Sequence, residues 1–244
     1  MWGIGGRYFA VAAVAALLGA GLAAHAENAK DSAAPQQKSP PSQLTVPASP
    51  PKESAPPPGA VPRKAFEEKL AYCKTCHGVS GQGFRGALPM PRLAGQQPDY
   101  IKNQLQAFIE KRRTNPVMSN VAHVLSPEMV NELSEAFYKL DPPPLGGAPK
   151  GLAAEGKMIF EKGVESANIP PCASCHGDDA KGNGEFPRLA GQLNDYVIRK
   201  LTNFEKERGQ NPAHPDTSAI MKPIAHDLTP QQIAAVAAYV SELR

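Results

Sequence analysis

The chain carries little net charge: 26 lysine and arginine residues against 23 aspartate and glutamate residues give +3 at pH 7 with histidine neutral. Its basic residues form no stripe along the sequence. Proteins that bind the phosphates of nucleic acid need a concentrated basic surface. The charge pattern therefore excludes nucleic acid as an expected partner.

The part of the sequence able to fold also lacks the alternation of apolar and polar residues that is typical of a half-buried strand. Apolar residues recur instead at helical spacing in one middle stretch and again about a hundred residues later. The two sets are Ile101, Leu105, Phe108 and Ile109, and Val197, Leu201 and Phe204. We therefore predict an all-α fold.

A long apolar run is also missing, since the stretch Tyr8 to Ala24 falls short of the roughly 20 residues that span a bilayer comfortably. Arg7 precedes it and the small-residue pattern Ala24-His25-Ala26 follows it, which is the order found in a secretory signal. We predict a signal peptide over 1–26, cleaved after Ala26. An uncleaved anchor is the alternative.

Between 27 and 62 the sequence has almost no large apolar side chains, and ten prolines lie from Asp31 to Pro62. Such a segment cannot bury enough apolar surface to fold, and proline favours an extended chain. We predict a Pro-rich disordered linker over 27–62. It would either tether the following domains to a membrane or complex, or be an extension without a specific role.

Two short motifs are present that carry chemistry. Cys73 to His77 reads C-K-T-C-H, and Cys172 to His176 reads C-A-S-C-H. Two thiols separated by two residues can each add to a vinyl group of haem, while the adjoining histidine binds the iron. Both motifs therefore predict covalent attachment of a c-type haem.

Other uses of paired cysteines fit these motifs less well. A redox disulfide, half of a zinc site or a disulfide framework does not require a histidine directly after both pairs. Zinc modules usually bring their pairs within about 15–20 residues of each other, whereas Cys73 and Cys172 are 99 residues apart. The βαβ context of a thioredoxin-like site is missing as well.

The rest of the chain is an internal repeat. A Pro- and Gly-rich linker at 142–150 separates module one (63–141) from module two (151–244), and PRLAGQ occurs once in each module, at 91–96 and 187–192. A methionine, an Ala-His pair and a Ser-Pro or Thr-Pro pair also recur with the same spacing. Each module is small enough that its own core would be marginal, so a buried haem would supply missing apolar mass.

Each module should contain at least three helices. Ser126 and Thr229 are predicted N-caps because proline follows each at the first helical position, and Gln232 would complete a capping box with Thr229. One further helix is expected before each haem motif, around 64–72 and around 152–162. The last helices should bury Val130, Leu133, Phe137 and Leu140 in module one, and Ile233, Val236, Ala237 and Val240 in module two.

These duplicated motifs resemble those of the class I c-type cytochromes, and in particular the dihaem cytochrome c4 family, over 63–244. The resemblance implies two tandem all-α domains, each wrapping one covalently attached haem. The residues that it implies are Cys73, Cys76, Cys172 and Cys175 for covalent attachment, His77 with Met118 and His176 with Met221 as axial iron ligands, and Pro91 and Pro187 as carbonyl acceptors for the histidines. Tyr100 and Tyr196 would either bond a haem propionate or be ordinary helix-face residues.

A small residue usually lies where the first and last helices of such a domain cross. Gly156, followed by Phe160, fits this pattern in module two. Module one has Ala65 and Phe66 instead, which leaves its helix crossing open.

Each module also offers a second candidate for the sixth iron ligand. His123 follows Met118 by five residues, and His226 follows Met221 by five. Each histidine lies three residues before a predicted cap, so we expect its imidazole to face solvent or to cap local backbone. Methionine is the predicted ligand, and a bis-histidine haem is the alternative.

With both axial positions filled, the expected function is a periplasmic electron carrier with no catalytic residues. Its expected partners are a quinol-oxidising complex or dehydrogenase as donor and a terminal oxidase as acceptor. The alternatives are a haem-bearing subunit of a membrane oxidoreductase complex, with peripheral membrane association, or a dihaem enzyme such as a peroxidase or thiosulfate dehydrogenase. The modules differ in charge, +3 over 63–141 and −1 over 150–244, which could steer charged partners.

Overall fold

The structure is a computed structural model and describes residues 59–208, residue 213 and residues 217–244. These belong to one compact unit, Glu53–Arg244. The predicted signal peptide over 1–26, and nearly all of the linker predicted over 27–62, lie outside the described residues. In the ranges that the structure describes, no helix is both long and apolar enough to cross a membrane.

Module one is built from helices joined by loops. Its described helices are α1 Arg63–His77, α2 Pro98–Ile109, α3 Pro116–His123 and α4 Pro127–Tyr138. The helix expected around 64–72 is the first part of α1, which continues through the Cys73 to His77 motif and ends before Gly78, at φ 87°. The haem motif of module one is therefore the last turn of a long helix.

Module two follows the same order with two interruptions. Its described α-helices are α5 Ala153–Lys162, α6 Ala173–His176, α7 Asn194–Thr202, α8 Phe204–Glu207, α9 Ser218–Asp227 and α10 Pro230–Glu242. The first helix stops at Gly163, which has φ 74° and lies so close to Ile169 that a Cβ would be 2.2 Å from its carbonyl oxygen. A loop therefore separates α5 from the single turn that carries the second haem motif.

The other interruption corrects a sequence expectation. Val197, Leu201 and Phe204 were expected on the face of one helix, but α7 ends at Thr202 and Phe204 begins α8. Asn203 lies at the break and its side chain donates to the carbonyl of Arg199, 3.0 Å away. Asparagine competes with the helix for such backbone groups, which accounts for the break.

The predicted helix caps are confirmed. Ser126 Oγ accepts from the N–H of Met129 at 3.2 Å at the start of α4. Thr229 and Gln232 form the capping box at the start of α10, with reciprocal hydrogen bonds of 2.9 and 3.3 Å. Each cap satisfies backbone donors that a helix start would otherwise leave free.

The prediction of an all-α fold is confirmed, since the described residues contain only isolated β-bridges and no strand. The core of module one is formed by Ile101, Leu105, Phe108, Ala122 and Phe137. That of module two includes Phe160, Val197, Ile233, Val236, Ala237 and Val240. The predicted stripe of α10 is thus fully buried. In α4, Leu133 and Phe137 are buried and Val130 is half-buried, and Leu140, which was predicted in the same stripe, lies beyond the end of the helix and is half-buried.

The crossing of α5 and α10 depends on a glycine, as expected. A Cβ on Gly156 would lie 2.0 Å from the carbonyl oxygen of Ala235 and 2.8 Å from Cβ of Tyr239. Phe160 is fully buried one turn later, with its ring 5.5 Å from that of Tyr239. In module one Ala65 is exposed and Phe66 is half-buried, so Ala65 does not lie at a tight crossing of two helices.

We predict that Gly156→Ala destabilises the holoprotein. A methyl group cannot fit against the Ala235 carbonyl without moving one helix, and such overpacking typically costs about 1–3 kcal/mol. The midpoint temperature of thermal unfolding should therefore fall by roughly 2–4 °C for each kcal/mol of lost stability. The matched control is Gly151→Ala, where a Cβ would meet nothing within 4 Å; equal effects of the two substitutions would contradict the close crossing.

Candidate haem sites

The two haem motifs present their side chains in the same way. Cys73, Cys76 and His77 occupy positions i, i+3 and i+4 of one helix, which places all three on one face. In module two Cys172 is the N-cap of α6, and His176 is its last residue. One helical turn therefore positions two thiols and an imidazole together in each module.

All four cysteines of the motifs lie within the described ranges, and none of them forms a disulfide. Burial raises the pKa of the Cys73 thiol, and it raises the pKa of Cys172 to about 11. The described part of the chain also holds no group of three or more His, Cys, Asp or Glu residues placed to bind a metal ion.

Both histidines of the motifs are buried and fixed through one ring nitrogen. His77 Nδ1 lies 2.9 Å from the carbonyl oxygen of Pro91, and His176 Nδ1 lies 2.9 Å from that of Pro187. Since a carbonyl can only accept, each Nδ1 carries the proton, and the lone pair is on Nε2. Burial lowers the pKa of both imidazoles, which favours the neutral form that binds iron.

The structure distinguishes the two candidate sixth ligands by exposure. Met118, in α3, is half-buried and packs against the core of module one, and Met221, in α9, is also half-buried. His123 is exposed, as is His226, whose Nδ1 lies 3.6 Å from a carboxylate oxygen of Glu205. Both imidazoles face solvent, as expected, and this arrangement favours methionine.

Tyr100 and Tyr196 contact arginines of the opposite module. Tyr100 Oη accepts from Arg208 Nη2 at 3.2 Å, and Tyr196 Oη accepts from Arg113 Nη2 at 3.0 Å. Burial by itself would raise the pKa of the Tyr100 hydroxyl, but the charges of Arg208 and Arg113 bring it below its ordinary value. A bond of either tyrosine to a haem propionate stays one of the two alternatives that the sequence offered, and neither alternative included a contact between the modules.

Five arginines of the described ranges are buried: Arg92, Arg112, Arg113, Arg188 and Arg208. Two of them, Arg113 and Arg208, lie at this contact. Gln104 Oε1 accepts from Arg113 Nη1 at 2.8 Å and also from Arg208 Nη1. The sequence analysis did not predict that these arginines are buried. The arginine and the glutamine that recur in both copies of PRLAGQ were a usable signal, because buried polar side chains need hydrogen-bond partners.

Two nitrogen atoms of these buried arginines lack a hydrogen-bond partner. In the described ranges, Arg92 Nη2 and Arg113 Nε are buried without a hydrogen-bond partner. The carboxylate of Asp141 is 3.6 Å from Arg92 Nη2, and burial lowers the pKa of Arg92 to about 10. Buried cations of this kind are costly unless an anion accompanies them.

Comparison with known proteins decides the family. The Cytochrome c family model matches residues 63–140 and 153–244. Cytochrome c4 from Thiocapsa roseopersicina is 35% identical over 187 residues, which are 75% of this chain and 92% of that protein. The chain belongs to the dihaem cytochrome c4 family.

Two further proteins extend the comparison. The structure of Acidithiobacillus ferrooxidans cytochrome c4 is 38% identical, with a TM-score of 0.61, and the match covers 71% of this chain and 99% of that one. A thiosulfate dehydrogenase electron acceptor from Thiomonas intermedia is 34% identical over 183 residues, which are 72% of this chain and 81% of that protein. Electron transfer is thus the activity of the family.

The residues present fit the two covalently bound c-type haems of the family. Each motif offers two thiols outside any disulfide, beside a buried imidazole whose Nδ1 is fixed by a proline carbonyl. In module one, Arg113 Nε is buried without a hydrogen-bond partner and would suit a carboxylate such as a haem propionate. The fit therefore covers the attachment chemistry of both sites.

We predict that Gln104→Leu destabilises the protein, because it removes the oxygen that accepts from Arg113 and Arg208. Leaving a buried donor unsatisfied costs about 1–3 kcal/mol, and more for a charged group. Chemical unfolding followed by haem absorbance and by circular dichroism measures the loss. Gln106→Leu, an exposed position on the same helix, should change stability by less than about 0.5 kcal/mol; a loss as large as that of Gln104→Leu would contradict the role of the shared oxygen.

Proposed function

We propose that the protein is a periplasmic dihaem carrier that transfers single electrons between a respiratory donor and an acceptor. Cys73 and Cys76 attach the haem of module one, and Cys172 and Cys175 attach that of module two. The axial pairs are His77 with Met118 and His176 with Met221, and the carbonyls of Pro91 and Pro187 hold the histidines. The observation that carries this proposal is the matched arrangement in each module of a buried imidazole fixed at Nδ1 and a half-buried methionine.

This ligand set suits a carrier more than an enzyme. Haem supplies one-electron chemistry, and methionine paired with histidine at the iron raises the reduction potential. The side chains of Met118 and Met221 would occupy the positions that an enzyme keeps open for substrate. A dihaem peroxidase or thiosulfate dehydrogenase would instead need one of these methionines to be absent or displaced.

The proposed partners are redox proteins. The relative from Thiomonas intermedia is named for accepting electrons from a thiosulfate dehydrogenase, which supports a dehydrogenase as donor here, alongside a quinol-oxidising complex. A terminal oxidase is the proposed acceptor. The signal predicted over 1–26 supports export to the periplasm, and the Pro-rich linker over 27–62 would suit peripheral association with a membrane complex.

The methionine ligands can be tested by spectroscopy. Oxidised haem with a methionine ligand shows a long-wavelength charge-transfer band, and we expect Met118→Ala and Met221→Ala each to remove about half of its intensity, since each haem contributes one methionine–iron bond. Met158→Ala is the control, because this methionine is 59% exposed on α5, and it should retain the full band. A band that survives both substitutions would refute the ligand assignment, and a wild type without the band would point to bis-histidine ligation through His123 and His226.

Carbon monoxide distinguishes the carrier from the enzyme. The reduced wild-type protein should not bind carbon monoxide at neutral pH, because Met118 and Met221 fill the sixth positions. Met118→Ala should bind about one equivalent for each protein, which shows that the assay detects an open site. Rapid stoichiometric binding by the wild type would favour the enzyme alternative.

A further inference from the structure

The two modules exchange the same pair of hydrogen bonds in both directions. Gln192 Oε1 accepts from the backbone N–H of Arg92 at 2.8 Å, and its Nε2 donates to the carbonyl of Arg92 at 3.0 Å. Gln96 Oε1 accepts from the N–H of Arg188 at 2.7 Å, and its Nε2 donates to the carbonyl of Arg188 at 3.1 Å. All four residues are buried, so each glutamine contacts the opposite module in a dry environment.

The peptide groups that receive these bonds are the ones that hold the histidines. The Pro91–Arg92 peptide accepts from His77 Nδ1 through its oxygen and donates to Gln192 through its N–H. The Pro187–Arg188 peptide does the same between His176 and Gln96. A continuous chain of histidine, peptide and glutamine therefore crosses from each module into the other.

We infer that each glutamine tunes the haem of the opposite module, Gln192 acting on His77 and Gln96 acting on His176. Both are positioning residues that act through a peptide group rather than contacting the haem. The inference rests on the proposed role of His77 and His176 as axial ligands.

The direction of the effect follows from hydrogen-bond cooperativity. A peptide whose N–H donates has a more negative carbonyl oxygen, which accepts more strongly from the imidazole. A stronger bond at Nδ1 makes the imidazole a more basic ligand, and a more basic ligand favours ferric over ferrous iron. Loss of the glutamine oxygen should therefore raise the reduction potential of the haem in the opposite module.

A neighbouring residue provides a control that distinguishes this effect from a general weakening of the contact between the modules. Gln97 also reaches across, and its Nε2 donates to the carbonyls of Lys181 and Gly182 at 3.0 and 3.1 Å. Neither carbonyl belongs to a peptide that accepts from His77 or His176. Substitution of the Gln97 side chain therefore weakens the contact between the modules, while the backbone N–H of residue 97 still donates to Gln96 Oε1 as it does at 3.0 Å in the wild type.

The test uses the full-length holoprotein and Gln192→Met, Gln96→Met and Gln97→Met. The potential of each haem is read separately from its methyl resonances in a redox titration followed by NMR. Gln192→Met should change the oxidised-to-reduced ratio of the haem in module one at least three-fold at a fixed potential, which is a rise of about 28 mV in its reduction potential for one electron. The potential of the other haem should stay unchanged. Gln96→Met should show the reverse, and Gln97→Met should shift neither.

A second variant guards against a loss of structure. Gln192→Glu retains an oxygen that accepts from the Arg92 N–H, so the potential of the haem in module one should not rise. When the methionine charge-transfer band is intact, three results would overturn the inference. They are unchanged potentials in Gln192→Met and Gln96→Met, equal shifts of both haems in either variant, and a higher potential in Gln192→Glu. Absence of that band in the wild type would instead overturn the proposed ligand set.

Discussion

The hydrogen bond from a buried imidazole to a proline carbonyl organises each half of the molecule. It requires the loop that begins with Pro91 or Pro187 to lie beneath the helical turn that carries the cysteines, and it fixes which ring nitrogen is free. The remainder of that loop then extends into the other module, where its arginine and glutamine meet the corresponding loop. One short motif thus orients a proposed iron ligand and joins the two modules.

Duplication has preserved the interior while the surfaces have diverged. The histidine and its proline acceptor are 14 residues apart in module one and 11 apart in module two. The longer loop exposes Phe84 and Leu88, and Val79, next to the first motif, is 82% exposed. Module two has the exposed Asp178 in the place of Val79. The two haem surroundings therefore present different chemistry, which suits a carrier that meets two partners.

Local signals in the sequence were sufficient for much of the fold. The haem motifs and the caps at Ser126 and Thr229 each depend on residues within a few positions of one another. The glycine at position 156 depends on a single steric requirement. The break at Asn203 was missed because a side-chain bond to the backbone overrides apolar spacing. It is a local effect with a weak sequence signal.

The contact between the modules could not be derived in the same way. The bonds of Tyr100 with Arg208 and of Tyr196 with Arg113 join residues 108 and 83 positions apart. Periodicity and spacing describe which face of a helix is apolar, but they do not describe which distant polar side chains share a buried surface. The repeated arginine and glutamine of PRLAGQ showed only that such partners were needed.

The reciprocal glutamines also constrain how the protein matures. The backbone of Arg92 bonds to a glutamine 100 positions later in the chain, and the side chain of Gln96 bonds to the backbone of a residue 92 positions later. During synthesis from the N-terminus, the loop of module one is therefore exposed to water until module two is present. Closing so long a loop costs chain entropy, and the two pairs of hydrogen bonds together offset part of this cost. Neither module can therefore complete its final hydrogen bonding before the other is present.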